Sequence, residues 1–376
     1  MPAKRTARTR LELPDFPWDS LEPFAEQATA HPRGIVDLSV GSPVDPTPDL
    51  IRDAIAAATD AHAYPQTAGS PALREAIVDW FARRRGVADL TVANVLPSIG
   101  SKELIASMPL MLGLRTGDIV VQPTAAYPTY AIGAAIAGAT AVSADDPADW
   151  PDGTRLVWIN SPGNPDGAVL DTEQLRERVE RARELGAIIA NDECYAELNW
   201  AGEGPTPSIL DPRVIAGERD SVLAVYSLSK QSNLAGYRAG FVAGCTNLIQ
   251  ELLAVRKHSG LIPPAPVQAA MIAALGDDKH VNTQRDRYRA RRDILAPALK
   301  AAGFRIDASE AGLYLWATEG ADAWTTVERL ARVGVLVAPG PYYGSASPQH
   351  VRVALTATDD AIAEAANRLA ELPAVG

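Results

Sequence analysis

At 376 residues and 39.8 kDa the chain has room for two or three domains and a large core. Its net charge of −11, from 35 basic and 46 acidic side chains with no long basic stripe, excludes a protein held to nucleic acid by phosphate contacts. A hydrophobic share of 47% and a charged share of 22% exclude disordered and fibrous chains, and no apolar run approaches the roughly 18 residues of a membrane span. Cys194 and Cys245 are too few for a disulfide framework, which points to a reducing cytoplasm. The five histidines have neither an i, i+4 pair nor a cysteine partner, so no metal site is expected. Lys4, Arg5, Arg8 and Arg10 precede no apolar stretch, and residues 1–10 read as a frayed tail rather than a signal peptide.

From Pro71 the spacing of Leu73, Ile77, Trp80 and Phe81 predicts an amphipathic helix ending at Gly86, and a second helix is predicted over 101–114. Apolar runs at 118–122, 155–160, 187–190, 222–226 and 240–244 then alternate with helical stretches. In one of these, 171–186, Leu175, Val179, Ala182 and Leu185 form the inner stripe. Such alternation builds βαβ units around a largely parallel sheet. Pro263, Pro264 and Pro266 mark a boundary. Beyond it come a charged helix over 278–302, strands at 313–317, 335–337 and 351–355, and helices over 324–332 and 360–372, an α+β texture. The expected organisation is therefore 1–45 as an arm and part of a small domain, 46–262 as a large α/β domain, and 263–376 as the rest of the small domain.

The most informative stretch is Ser227-Leu228-Ser229-Lys230, directly after the run 222–226 and continuing to Arg238. A lysine just past the carboxyl end of a buried strand stands where open α/β sheets place ligands. With hydroxyls and an arginine beside it, it suits an amine nucleophile next to a phosphate. An ordinary surface lysine explains the tetrapeptide equally well. The S-x-x-K pattern of penicillin-binding proteins also fits, but neither S-D-N nor K-T-G accompanies it. No G-x-G-x-x-G follows a strand and no P-loop is present, so nucleotide readings lack support.

Other strand ends carry candidates of their own. Asp192 follows the run 187–190, with Tyr195 three residues on, and is placed to face a ligand nitrogen. A strand-end aspartate is more often a cap or turn residue. Asn164 is the one side chain of interest in the turn Asn160-Ser161-Pro162-Gly163-Asn164-Pro165-Asp166-Gly167. Ser101 and Lys102 open a helix whose free N–H groups suit phosphate, although a plain N-cap accounts for the serine. Tyr127 is positioned to stack on a planar ring, or is simply a core aromatic.

The joint order of these elements decides between the readings. Gly100-Ser101-Lys102, Tyr127, Asn164, Asp192 with Tyr195, and Ser227-x-Ser229-Lys230 with Arg238 resemble the fold-type I, pyridoxal phosphate-dependent aminotransferases of class I/II over nearly the whole chain. The likeness extends upstream to Gly41 and Tyr64-Pro65, and downstream to Val351-Arg352-Val353-Ala354. It implies a large domain with a mostly parallel sheet flanked by helices, a smaller α+β domain, and pyridoxal 5'-phosphate as cofactor. Lys230 resembles the lysine that carries the cofactor, and Asp192 the carboxylate facing the ring nitrogen. Tyr195 and Asn164 resemble the partners of the ring oxygen, and Tyr127 the stacking ring. Ser101, Lys102, Ser227 and Arg238 fall at phosphate positions, and Tyr64 is expected to cross to a second subunit of a homodimer. Arg352 resembles the clamp on the substrate α-carboxylate, a task suited to a planar bidentate donor, and Gly41 is grouped with it at the substrate. Ser161 and Asp166 depart from the family's usual Asn and Thr in the turn that carries Asn164.

Within the family, the phrases 38–46, 99–103 and 229–238 look like N-succinyldiaminopimelate aminotransferases of actinobacterial type. That likeness implies glutamate and 2-oxoglutarate as one substrate pair, in lysine and diaminopimelate synthesis. Prephenate, aspartate, aromatic or LL-diaminopimelate aminotransferases, a C–S β-lyase and a cofactor-binding regulatory module are the alternatives. Arg256, Lys257, His258 and Asn233 are the candidates for the distal end of such a substrate; a helix end with solvated positive charge explains the first three as well.

Overall fold

The computed structural model describes residues 13, 17–202, 204–217 and 219–372, so the expected tail at 1–10 lies outside the described residues. Seven strands form the central sheet: β1 (Val95–Ile99), β2 (Ile119–Gln122), β3 (Thr140–Ser143), β4 (Thr154–Asn160), β5 (Ile188–Asp192), β6 (Val222–Ser227) and β7 (Ala239–Gly244). Their spatial order is β1-β7-β6-β5-β4-β2-β3, and every pair is parallel except those made by β7, which runs against both β1 and β6. All residues of β6 and β7 are buried, as strands covered by helices on both faces must be.

Helices α1 (Pro71–Trp80), α2 (Gly100–Met111), α3 (Thr129–Ala137), α4 (Thr172–Glu184), α5 (Thr246–Ser259) and α6 (Ala265–Leu275) cover the two faces. Local chemistry sets their ends. Asp171 caps α4 by accepting from the amides of Glu173 and Gln174 at 2.9 Å, while Gln174 accepts from the Asp171 amide at 3.0 Å. Such a reciprocal cap stabilises a helix by about 1 kcal/mol. The predicted inner stripe of α4 is buried at Leu175, Val179 and Ala182. One face of the sheet packs Trp80, Phe81, Tyr226 and Phe241 together, with the Trp80 and Tyr226 rings 4.5 Å apart. The other packs Leu104, Met108, Tyr130 and Trp158.

The second core is built on β8 (Arg305–Asp307), β9 (Tyr314–Thr318), β10 (Ala338–Pro339) and β11 (His350–Ala354), an antiparallel sheet in the order β10-β11-β9-β8. Helices α8 (Ala323–Arg332) and α9 (Asp359–Leu369) cover it, and Leu21, Val36 and Leu38 from the N-terminal segment are buried in the same core. The packing departs from the expected division at 263. Helix α6 buries Val267, Ala270, Met271 and Ala274 in the large-sheet core. The change of partner comes instead within the long helix α7 (Asp278–Ala301), whose Tyr288, Leu295 and Leu299 belong to the second core. A proline cluster breaks a helix without parting two cores, because the apolar stripe after it still decides where the chain packs.

Candidate active site

Loops after β1, β2, β4, β5 and β6, all at the carboxyl ends of the strands, converge on one cavity of about 300 Å³. Gly41, Ser101, Lys102, Tyr127, Asn164, Asp192, Tyr195, Ser227, Lys230, Arg238 and Arg352 all line it. Tyr64 does not: it is 99% exposed and belongs to a separate hollow with Gln66 and Gln268. Lys102, Lys230, Arg238 and Arg352 face a single carboxylate, Asp192, in that lining. A chain of net charge −11 thus keeps a cationic cavity, which selects anionic ligands.

Asp192 owes its aim to its neighbours. The register sets it beside Asn160 of β4 and Val225 of β6. The next residue, Glu193, is anchored away from the cavity: Arg85 donates to its Oε2 at 2.8 Å with both side chains out of solvent, and Ser208 and the Ile209 amide donate to Oε1 at 3.0 and 2.7 Å. The Asp192 carboxylate accepts from the Cys194 amide and from the Tyr130 hydroxyl, each at 3.2 Å. Burial pushes its pKa up to about 6, because these neutral donors do not replace the lost water. A buried carboxylate of this kind fits a cationic ring nitrogen as its partner. Tyr130, which carried no signal in the sequence, is fully buried, stacked on Trp158 at 5.1 Å and set edge-on to Tyr127 at 5.8 Å. It therefore supports both the carboxylate and the expected stacking ring.

The phosphate end is a tight backbone cradle. Gly100 has φ +76°, and a Cβ there would lie 2.5 Å from Arg238 Nη2. A Cβ on Gly240 would lie 3.0 Å from the Ser101 amide nitrogen. Arg238 itself is left-handed at φ 56°, a conformation costing on the order of 1–3 kcal/mol for a non-glycine residue, and its Nη1 donates to Ala235 O at 2.8 Å. Ser227 Oγ donates to Ser229 Oγ at 2.8 Å, which adds Ser229 to the lining. Two cations, hydroxyls and the amide end of α2 in one place suit a phosphate dianion.

At the opposite end Arg352 is 3% exposed, donating from Nη1 to Asn164 Oδ1 at 2.9 Å and from Nη2 to Ser39 O at 2.8 Å. Its guanidinium lies 3.8 Å over the Tyr314 ring, and its buried Nε has no hydrogen-bond partner. Lys230 Nζ donates to Gly41 O. Gly41 is needed because a Cβ would collide with the Tyr314 hydroxyl, which in turn bonds the Tyr195 hydroxyl at 3.2 Å. Trp18, Cys194 and Tyr314 also line the cavity and carried no signal in the sequence. The two departures in the Asn164 turn act locally: Ser161 Oγ accepts from the Leu170 amide at 2.9 Å, and Asp166 Oδ1 from the Ala168 amide at 3.2 Å.

The candidates for the distal end are placed elsewhere. Arg256 is fully buried and donates to both oxygens of Glu103 at 2.9 and 3.1 Å, joining α5 to the helix that carries Ser101 and Lys102. Asn233 is buried against Pro46 O and Gln284. Lys257 and His258 are exposed at the end of α5. None of the four lines the cavity of its own chain.

Among the described residues no His, Cys, Asp or Glu cluster is arranged to hold a metal ion, and no helix is long and apolar enough to cross a membrane. Residues 33–369 match the family described as aminotransferase class I and II. The chain is 54% identical over 359 residues to the 4-dedimethylamino-4-oxo-anhydrotetracycline transaminase of Streptomyces rimosus, with 95% of this chain and 99% of the relative covered. It is 35% identical over 385 residues to an LL-diaminopimelate aminotransferase of Desulforudis audaxviator, with 96% of each covered. An aminotransferase structure from Neisseria meningitidis superposes with a TM-score of 0.87 at 30% identity, covering 96% of this chain and 98% of that one.

Proposed function

The chain belongs to the class I and II aminotransferases, which work with pyridoxal phosphate, and from that premise we propose that it exchanges amino groups between glutamate/2-oxoglutarate and N-succinyl-LL-2,6-diaminopimelate/N-succinyl-2-amino-6-oxopimelate in the cytoplasm. The observation that carries the amino-acid end is Arg352, a buried guanidinium held by Asn164, Ser39 O and the Tyr314 face, with Nε uncommitted. A substrate α-carboxylate is the anion such a fork binds. When bound, the cofactor supplies an electron sink for the substrate Cα. The residues supply the rest. Lys230 Nζ would carry the cofactor and would move the proton of the substrate Cα. Asp192 would hold the charge of the ring nitrogen, and Tyr127 would cover the ring. Tyr195 and Asn164 would hold the ring oxygen, and Ser101, Lys102, Ser227 and Arg238 would hold the phosphate. Gly41, whose missing Cβ makes room for the Tyr314 hydroxyl, stands with Arg352 at the substrate end.

The finer substrate rests on the sequence phrases around Gly41, Ser101 and Lys230 and on the diaminopimelate relative. Exposed Tyr64 supports a homodimer in which it completes the neighbouring site. A remote carboxylate left unpaired in a partly dry site costs several kcal/mol. N-succinyldiaminopimelate should therefore exceed its unsuccinylated parent in kcat/KM by more than about tenfold. Steady-state kinetics with purified enzyme tests this; equal efficiency for the two acids would overturn the acceptor assignment.

A further inference from the structure

Lys230 stands in an irregular turn, residues 228–234, between β6 and β7. Within it the Ser232 and Leu234 amides donate to Leu228 O at 3.2 and 3.4 Å, and Asn233 is left-handed at φ 54°. A turn with so little ladder of its own takes its shape from side-chain bonds. Each of the three residues after Lys230 makes one. Gln231 Oε1 accepts from the Tyr226 hydroxyl at 2.6 Å, Ser232 Oγ bonds His280 Nε2 at 2.8 Å, and Asn233 Nδ2 donates to Gln284 Oε1 at 3.0 Å. His280 and Gln284 belong to the first turns of α7 and lie outside the cofactor cavity. His280 is itself aimed, because Asp277 Oδ2 accepts from both its amide and its Nδ1, each at 2.8 Å. A carboxylate can only accept, so Nδ1 carries a proton, and in the neutral ring Nε2 is left to accept from the Ser232 hydroxyl. Asp277, His280 and Ser232 thus follow the order of a hydrolytic triad. Ser232 is fully buried, however, and lines neither the cofactor cavity nor the hollow bordered by His280 and Asp277, so its hydroxyl meets no substrate. The array is a strut that ends two residues from Lys230.

We propose that His280 is a positioning residue for amino transfer: through Ser232 it holds the turn that carries Lys230, and so sets where the lysine amine stands beside Gly41 O. The inference rests on the reading of Lys230 as the carrier of the cofactor, and is independent of the acceptor acid. A misplacement of about 1 Å at a reacting group can cost about a hundredfold in rate, even when the altered residue is remote. The substrate end is fastened separately, since Arg352 is held by Asn164 and Ser39 O on other segments. Losing the strut should therefore act on the rate of proton movement and spare the binding of the substrate carboxylate.

The test uses holoenzyme in glutamate–2-oxoglutarate exchange. His280→Ala and Ser232→Ala, which remove the bond from opposite ends, should each lower kcat by at least about tenfold while leaving the KM for glutamate within about twofold. The double variant should be no slower than the slower single one, because all three lose the same bond. Two readouts are independent of turnover: the rate at which borohydride reduces the link between Lys230 and the cofactor, and the wavelength of the bound cofactor's visible band, both at one fixed pH. Both should shift in the alanine variants. Should one variant fail to fold, the other still decides through kcat, reduction rate and band. A lower melting temperature with those three unchanged would overturn the proposal, and so would losses that multiply in the double variant. A borohydride label on a wild-type residue other than Lys230 would instead refute the reading of Lys230 itself.

Discussion

Replacing Lys230 by alanine should remove amino transfer by at least about 10²–10⁴-fold while leaving the fold and part of the cofactor affinity intact. General acid–base work by a positioned side chain is worth that much, and among the described residues no second amine lies at the same place: Lys102, the other lysine in the lining, sits at the phosphate end beside Ser101. The cofactor would still be met by Arg238, Ser227 and Asp192, which do not depend on the lysine for their positions. Borohydride treatment followed by peptide mass analysis gives a second readout. The wild type should keep the cofactor label on the peptide containing Lys230, and Lys230→Ala should keep none. Unchanged turnover in the variant would remove Lys230 from the mechanism.

Asp192→Asn should slow the half-reaction with glutamate by orders of magnitude, because an amide cannot hold the charge that a buried carboxylate holds. The same change should act in opposite directions on stability with and without cofactor. In the cofactor-free protein, burial raises Asp192 from 3.8 to about 6. Its protonated form therefore favours the folded chain below about pH 4, and that contribution is lost as pH rises through about 6. Across that window the wild type should lose about 3 kcal/mol relative to Asp192→Asn. With cofactor bound, the carboxylate regains a cationic partner, and the wild type should be the more stable of the two at pH 7.5. Melting curves from pH 4 to 8 in both states check this; parallel curves would mean that Asp192 meets no cation.

Much of the site is legible in the sequence because the strands concerned are buried on both faces and end in polar turns. The runs at 187–190 and 222–226 are enough to set Asp192 and Lys230 at the sheet's carboxyl edge. The edges of the sheet are harder. Val95–Ile99 contains Pro97, which argues against a strand, yet it lies at the sheet's edge, where only β7 pairs with it and the missing donor does little harm. Thr140–Ser143, at the other edge, has exposed ends and no apolar run to announce it. Tyr314 reaches Gly41 across 273 positions, so nothing local announces that contact. Arg256 misleads for a different reason: a charged residue in the last turn of a helix normally faces water, but Glu103 on a neighbouring helix draws this one inward.

Helix α7 ties the fate of the two cores together. Its first turns are fastened to the large domain by His280 Nε2 with Ser232 Oγ at 2.8 Å, Asn233 Nδ2 to Gln284 at 3.0 Å and Arg83 to Asp278 at 3.2 Å, whereas its last turns bury Leu295 and Leu299 in the small domain. Between these ends Arg291 grips Asp45 with two bonds at 2.9 and 2.7 Å and Asp359 with a third at 2.7 Å. Helical hydrogen bonds form and break cooperatively, so neither core can melt without fraying a rod the other still needs. The chain should then denature as one unit rather than domain by domain, with loss of the cofactor cavity and loss of helix coinciding in a melting curve.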